Sequence, residues 1–173
     1  MTGRGAVQPS SSAAIAVRPA TLDDLETVVR LRIALLREHR DNRVYGRLRA
    51  DAVERARTLY AAQLRSPTET IFLAECEGRT VGILRCVESQ SSPLLHPGRY
   101  AYVSSVYVLP EMRRGGVLRS LLHAAEGWCR ERGLHEMRLH NAADNRVANA
   151  AWESLGFETV EVLRVRALPD AGA

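Results

Sequence analysis

The residues best suited to chemistry stand together between Tyr100 and Leu122. Tyr100 to Val108 is rich in valine and tyrosine and reads as a strand, which Pro110 ends by withdrawing a backbone donor. A basic turn follows, Arg113-Arg114-Gly115-Gly116. It runs into an apolar-periodic helix with Val117, Leu118, Leu121, Leu122, Ala125, Trp128 and Cys129 on one face. The first backbone N–H groups of a helix lack intrahelical partners and lie at the positive end of its dipole, so this strand-turn-helix unit is built to hold an anion. Two glycines permit close backbone approach, and two arginines add permanently charged, planar donors for phosphate oxygens. A pyrophosphate suits that chemistry. The plain alternative is a solvated basic turn before an ordinary helix.

The rest of the chain must position this unit. Ile15 to Arg18 is a short first strand, and Thr21-x-x-Asp24 is a capping box that starts a helix with Leu22, Leu25, Val28, Val29, Leu35 and Leu36 as its buried stripe. A polar connection around Arg40 to Gly46 leads to a second helix, roughly Leu48 to Leu64, with Ala52, Ala56, Leu59, Tyr60 and Leu64 at helical spacing. Thr70 to Glu75 and Thr80 to Val87 read as strands joined by a hairpin at Glu77-Gly78-Arg79. Ser89 to Gly98 is a loop. Gly133 closes the third helix, and the alternation in Glu136 to His140 marks a half-buried strand that should pair in parallel after the helical crossover. A last helix spans Asn145 to Leu155, and alternation over Val160 to Val165 predicts a final strand.

At 173 residues, 46% hydrophobic and 25% charged, the chain is sized for one globular domain, expected over 15–168 between tails 1–14 and 169–173. No apolar run approaches a membrane span, and the leader has no hydrophobic signal core. All 24 basic residues are arginine, as the codon bias of a GC-rich genome would produce. The net charge of +4 comes from arginines interspersed with acids, without the aromatic-basic stacking pattern of a nucleic-acid binder. Cys76, Cys86 and Cys129 lack paired metal-ligand spacing and read as small buried hydrophobes in a reducing compartment, so the expectation is a cytoplasmic protein with no metal.

The order Val106-Tyr107-Val108-Leu109-Pro110-Glu111-Met112-Arg113-Arg114-Gly115-Gly116-Val117 resembles the acetyl-CoA-binding segment of the Gcn5-related N-acetyltransferases, the GNAT superfamily. That family carries Arg/Gln-x-x-Gly-x-Gly/Ala there; Arg113 and Gly116 match, and Leu118 departs from the third fixed position. The last helix is similar to the family's Asn-x-x-Ala-x-x-x-Tyr-x-x-x-Gly-Phe, with Asn145, Ala148, Gly156 and Phe157 in register and Trp152 in place of the tyrosine. The resemblance implies an α/β fold of GNAT type. Its sheet would be mixed and largely antiparallel, of about six to seven strands flanked by about four helices, with a splayed parallel pair at the acetyl-CoA site.

It further implies an acetyl-CoA-dependent N-acetyltransferase in which a primary amine, on a small-molecule acceptor, attacks the thioester directly in a ternary complex. Acceptors of the protein N-terminus or lysine type, and a non-catalytic acyl-CoA-binding module, are the alternatives. By the same resemblance acetyl-CoA would lie against Val106, Tyr107, Val108, Arg113, Arg114, Gly115, Gly116, Val117, Leu118, Arg119, Asn145 and Trp152, with the Val106 backbone N–H on the thioester carbonyl. Many members have a glutamate on this strand where Ser104 and Ser105 stand here, so a Ser104 hydroxyl orienting a water is the nearest substitute, and an ordinary polar strand residue is the other reading. Trp152 fits an aromatic wall, since an indole N–H can donate a hydrogen bond but cannot protonate a thiolate. His140, at a strand end, has the intrinsic pKa of a base, although a lone strand-end histidine is more often a solvated residue. Asn145 suits either the pantetheine arm or a helix N-cap. The connection that would cover the acceptor carries Arg37, His39, Arg40, Arg43, Tyr45, Arg47 and Arg49 against only Glu38 and Asp41. It suits an acceptor of negative character, unless it is simply solvated. Relatives are often dimers, so the resemblance also admits a homodimer; neither nucleic acid nor membrane is expected as a partner.

Overall fold

Five strands form one sheet in sequence order: β1 (Ile15–Pro19), β2 (Glu69–Cys76), β3 (Arg79–Gln90), β4 (Arg99–Val108) and β5 (Met137–Leu139). The computed structural model describes residues 14–168; 1–13 and 169–173, which hold nearly all of the expected tails, lie outside the described residues. β1 to β4 are antiparallel, and β4 and β5 are parallel. The β2–β3 reversal uses Glu77 and Gly78 at φ 50° and 74°, the doubly left-handed pair whose twist matches the strands it joins. A parallel partner needs a crossover, which α3 (Val117–Glu131) supplies. α3 ends in a Schellman arrangement: Gly133 at φ 65°, with the Leu134 N–H donating to Cys129 O at 2.9 Å.

Among the described residues the expected six or seven strands are five. Val160 to Val165 alternates as a strand should, yet it joins no ladder, and Val160 is 84% exposed and Leu163 70%. Alternation reports two faces of different polarity but says nothing about the edge a strand must find.

Contacts divide the chain into two compact units that meet at Leu139 and His140. In the first, residues 14–139, period two sends Ile71, Leu73 and Ile83 to one face of the sheet and Phe72, Ala74, Leu84 and Cys86 to the other. α1 (Leu25–Glu38) and α2 (Ala52–Gln63) cover the first face with Val28, Val29, Leu31, Ile33, Ala56 and Tyr60. α3 covers the second with Val117, Leu121, Ala125 and Cys129. Burial of one such leucine or isoleucine contributes about 1.5–3 kcal/mol. Leu22, expected in the α1 stripe, lies exposed in a 3-10 turn before the helix, and Leu31 and Ile33 take core positions instead. The capping box is present: the Thr21 N–H donates to Asp24 Oδ2 at 2.8 Å, and Arg18 grips the same carboxylate with two nitrogens at 2.8 Å. The Arg18 hydrogen bonds pull the Asp24 pKa down to about 2.

In the second unit, residues 140–168, α4 (Arg146–Ser154) begins at Asn145, whose Oδ1 accepts from the Ala148 N–H at 3.0 Å. It ends at Gly156, φ 88°, with the Phe157 N–H donating to Trp152 O at 3.0 Å and the two rings edge to face at 5.2 Å. No described helix is long and apolar enough to cross a membrane.

Candidate functional site

β4 changes character part-way along. Its ladder with β5 covers only Ala101 to Val103, so from Ser104 onward that side of the strand pairs with no other strand among the described residues. At the same point the register against β3 slips: Arg85 faces Ser104 and Ile83 faces Tyr107, so β4 spends one extra residue. This is a β-bulge, and Ser105 stands in it at φ 53°. After the bulge the Leu109 N–H donates to Val81 O on β3 at 2.9 Å. Strand alternation then turns Tyr107 toward β3 and leaves the Val106 and Val108 amides pointing to the open side.

The turn that follows exposes a run of amides. The Arg113 N–H donates to Pro110 O at 3.3 Å and the Ser120 N–H to Gly116 O at 3.0 Å, but the six N–H groups from Arg114 to Arg119 donate to nothing among the described residues. Arg114 at φ 64° and Gly116 at φ 86° curl the backbone so that these donors gather at the head of α3, whose N-cap, Gly116, has no side chain to satisfy them. Arg113 is otherwise engaged. Its guanidinium donates to Glu38 Oε2 at 2.7 Å and to Val108 O at 3.1 Å, and its charge lies 5.7 Å from the Tyr107 ring centre. It braces the turn against α1, while the exposed Arg114 guanidinium has no carboxylate partner among the described residues.

A cavity of about 490 Å³ opens between α1, the connection to α2, α2 itself, β3 and β4. Ser104 and Ser105 reach it from β4. Arg85 donates to Ser104 Oγ at 3.1 Å and to the Glu69 carboxylate at 2.6 Å, and Tyr60 Oη lies 3.3 Å from Ser105 Oγ. Gln63 Oε1 is buried there without a partner among the described residues. Burial, with Tyr45 and Tyr100 nearby, pushes the Tyr102 hydroxyl above its ordinary pKa and keeps it protonated. The connection is held by Asn42, whose Oδ1 accepts the amides of Val44 at 2.8 Å and Tyr45 at 3.0 Å. Nothing larger than glycine fits at position 46 without a shift of the connection, since a Cβ there would stand 2.0 Å from Arg40 O.

The free amides at a helix start are what the sequence motif called for, and the structure adds an open strand edge and a bulge beside them. The sequence profile of the acetyltransferase (GNAT) family matches residues 31–157. The chain belongs to the GNAT family. It is 34% identical over 73 residues to the aminoglycoside N(6')-acetyltransferase type 1 of Acinetobacter genomosp. 13, a match covering 42% of this chain and 46% of that protein. It is 39% identical over 94 residues to the mycothiol acetyltransferase of Saccharomonospora viridis, covering 52% and 30%. These matches therefore span about half or less of each relative. AAC(6')-Iy, solved in complex with the bisubstrate analogue CoA-S-monomethyl-acetylneamine, superposes with a TM-score of 0.72 at 20% identity, over 91% of this chain and 99% of that one. That likeness establishes the GNAT fold.

Of the expected site residues, Ser104, Val106, Tyr107, Val108 and Arg113 through Arg119 fall on β4, the turn and the first turn of α3 in the first unit. His140, Asn145 and Trp152 fall in the second: His140 exposed, Asn145 committed to the N-cap, and Trp152 buried beside Phe157. Arg37, Arg40 and Arg43 do not line the cavity, whereas Tyr45, Arg47 and Arg49 do. Sequence reasoning missed Arg32, Arg55, Tyr60, Gln63 and Arg85 as cavity groups, and Glu69 as the carboxylate that holds Arg85. Arg85 left a legible signal, a lone charge inside the apolar run Val81 to Val87.

Proposed function

We propose that this protein is an acetyl-CoA-dependent N-acetyltransferase that moves an acetyl group from the thioester to a primary amine of a small-molecule acceptor, by direct attack in a ternary complex. The observation that carries this reading is the run of six unpaired amides from Arg114 to Arg119, directly downstream of a strand edge left open beyond Val103. The pyrophosphate of CoA would lie on those amides with Arg114 supplying charge, and Arg113 would hold the turn in shape. Pantetheine would extend along Val106 to Val108 as a neighbouring strand. The Val106 N–H is then the donor for the carbonyl oxygen as it gains negative charge.

An acceptor in the cavity meets β4 at Ser104 and Ser105. The attacking amine must be neutral, and among the described residues no carboxylate or histidine lines the cavity to take its proton. The arginines serve instead, because a guanidinium beside an ammonium disfavours the charged form and lowers the amine's pKa. Ser104 Oγ, fixed by Arg85, orients a water that carries the proton off. Nitrogen then bonds to the carbonyl carbon, the C–S bond breaks, and the CoA thiolate regains a proton from solvent. The names of the relatives, acetyltransferases of aminoglycosides and of mycothiol, support a small-molecule acceptor.

Titration with acetyl-CoA tests the reading. A ligand at about one hundred times its Kd stabilises the fold by about 2.7 kcal/mol, a rise of several degrees in Tm for a chain of this size. Arg114→Ala removes the free guanidinium, and Gly116→Glu places a carboxylate among the amides at a left-handed position, so both should weaken binding without unfolding the protein. Unchanged affinity in both variants overturns the pyrophosphate placement. Release of CoA thiol on adding an amine rules out the non-catalytic alternative.

A further inference from the structure

We propose that the acceptor is an amine that also bears a carboxylate, on an apolar body of amino-acid size, with the arginines of the cavity as its specificity determinants. The proposal rests on the acetyltransferase reading above and names the substrate class of the same site.

Five arginines line the cavity, Arg32, Arg47, Arg49, Arg55 and Arg85, and no acidic residue does among those described. Their nearest compensation is two carboxylates outside the lining. Asp51 is shared by Arg55 at 2.7 Å and Arg49 at 3.1 Å, and Glu69 serves Arg85 at 2.6 Å. Arg32 and Arg47 have no carboxylate partner among the described residues. The cavity thus carries an excess of positive charge between low-dielectric walls, which concentrate its field. An amine arrives from water as an ammonium, and a simple cation or polycation meets repulsion there. A carboxylate on the same molecule cancels that repulsion on entry and gives a guanidinium fork the planar partner it binds in bidentate fashion. Once docked, the arginines favour loss of the ammonium proton, so the groups that select the acid also ready the nucleophile.

Size and polarity narrow the class. Val44, Leu48 and Leu59 line the same cavity and are 46%, 37% and 52% exposed, apolar surface that an apolar acceptor would cover. A volume of about 490 Å³ lies within the range of small-molecule pockets. Amino acids with apolar side chains satisfy all three conditions.

The test uses the full chain with acetyl-CoA and a panel of matched pairs: L-phenylalanine, L-leucine and L-methionine, each beside its carboxamide, together with neamine as a polycation. CoA thiol release is read for each. The acids should exceed their amides by about tenfold in kcat/KM, the size of one charge-assisted contact. Intrinsic reactivity predicts the opposite order, since an amino-acid amide is the less basic amine and is neutral more of the time. Arg47→Gln and Arg32→Gln should each raise KM for the acids several-fold and shrink the preference, with acetyl-CoA affinity unchanged. Preference for the amides or for neamine, a preference untouched by both substitutions, or no turnover of any acid by protein that binds acetyl-CoA would each overturn the proposal. Failure to bind acetyl-CoA would overturn the acetyltransferase reading itself, and the two failures are separate readouts.

Discussion

Gly82→Ala should loosen α3 from the sheet and, through it, the proposed cofactor site. Gly82 lies on β3 beneath the first turn of α3, where a Cβ would stand 2.9 Å from Val117 Cγ1, 3.1 Å from Leu121 Cδ1 and 3.3 Å from Tyr107 O. Carbon atoms in ordinary contact sit about 3.5–4.0 Å apart, so the helix must lift by roughly 0.6 Å or more, or Val117 must rotate. Rotation is the costlier route, since Val117 is 1% exposed and a β-branched residue in a helix has one strongly preferred rotamer. Overpacking of this kind costs about 1–3 kcal/mol, and the reduced freedom of the unfolded chain returns about 0.4–1 kcal/mol. The net is centred on about 1.3 kcal/mol, or roughly 3–5 °C in Tm at this chain length. Urea melts measure the loss, and calorimetric titration with acetyl-CoA should show a several-fold weaker Kd, because the amides from Val117 to Arg119 ride on the displaced turn. Val117→Ala removes the offending methyl, so the double variant should be more stable than the sum of the two single losses by about 1 kcal/mol. A Gly82→Ala protein as stable as the parent, or strict additivity in the double variant, refutes the argument.

Two further outcomes follow from local geometry. At Gly46 an added Cβ meets backbone, 2.0 Å from Arg40 O and 2.7 Å from Asn42 O, so the connection must rearrange and carry Tyr45 and Arg47 with it. Gly46→Ala should raise the acceptor KM by about tenfold, the size of one lost charge-assisted contact, and leave acetyl-CoA binding intact; an unchanged KM counts against this loop as part of the acceptor site. At Asp24 the pKa falls from the ordinary 3.8 to about 2, chiefly through Arg18. A depressed carboxylate pKa stabilises the fold fully above about pH 4, and that stability is lost as pH falls from 4 toward 2. With Arg18 43% exposed, the contribution is on the order of 1 kcal/mol. Asp24→Asn should flatten this part of the acid limb in urea midpoints measured against pH, and a limb of unchanged slope would assign it to other carboxylates.

Features set by a few adjacent residues were legible in the sequence. The Thr21–Asp24 box, the Glu77-Gly78 reversal and the glycine closures at 133 and 156 stand where the residue types place them, because each depends on local backbone preference. The strand-turn-helix unit was legible for the same reason. Contacts across the chain were not. Nothing near Arg113 announces that its guanidinium is taken by Glu38, 75 residues away, and a basic residue beside glycines reads as a phosphate ligand until that partner is seen. The Val160 to Val165 alternation misled because pairing depends on an available edge. Seven cationic and aromatic residues between Arg37 and Arg49 were visible together, but only the fold sorts Tyr45, Arg47 and Arg49 into the cavity and sends Arg37, Arg40 and Arg43 elsewhere.

The bulge at Ser105 is the feature on which both halves of the site depend, and it too has no signature in the sequence. Before it, Ala101 and Val103 pack under α3, and Tyr102 and Ser104 reach the cavity. A regular strand would send residue 105 back toward α3, yet Ser105 also lines the cavity, and consecutive residues share a face only where the ladder slips. The same slip reverses amide parity. The Ala101 N–H donates to Glu136 O beside β5, so unbroken alternation would turn the amides of residues 105 and 107 to the open side and bond 106 and 108 into β3. With the extra residue, Val106 and Val108 take the open side. A left-handed serine costs on the order of 1 kcal/mol, and the contact between Tyr60 Oη and Ser105 Oγ at 3.3 Å helps to hold it. One strained residue therefore turns two serines into the cavity and two amides to the open strand edge, the places where the proposed acetyl transfer needs its acceptor and its thioester.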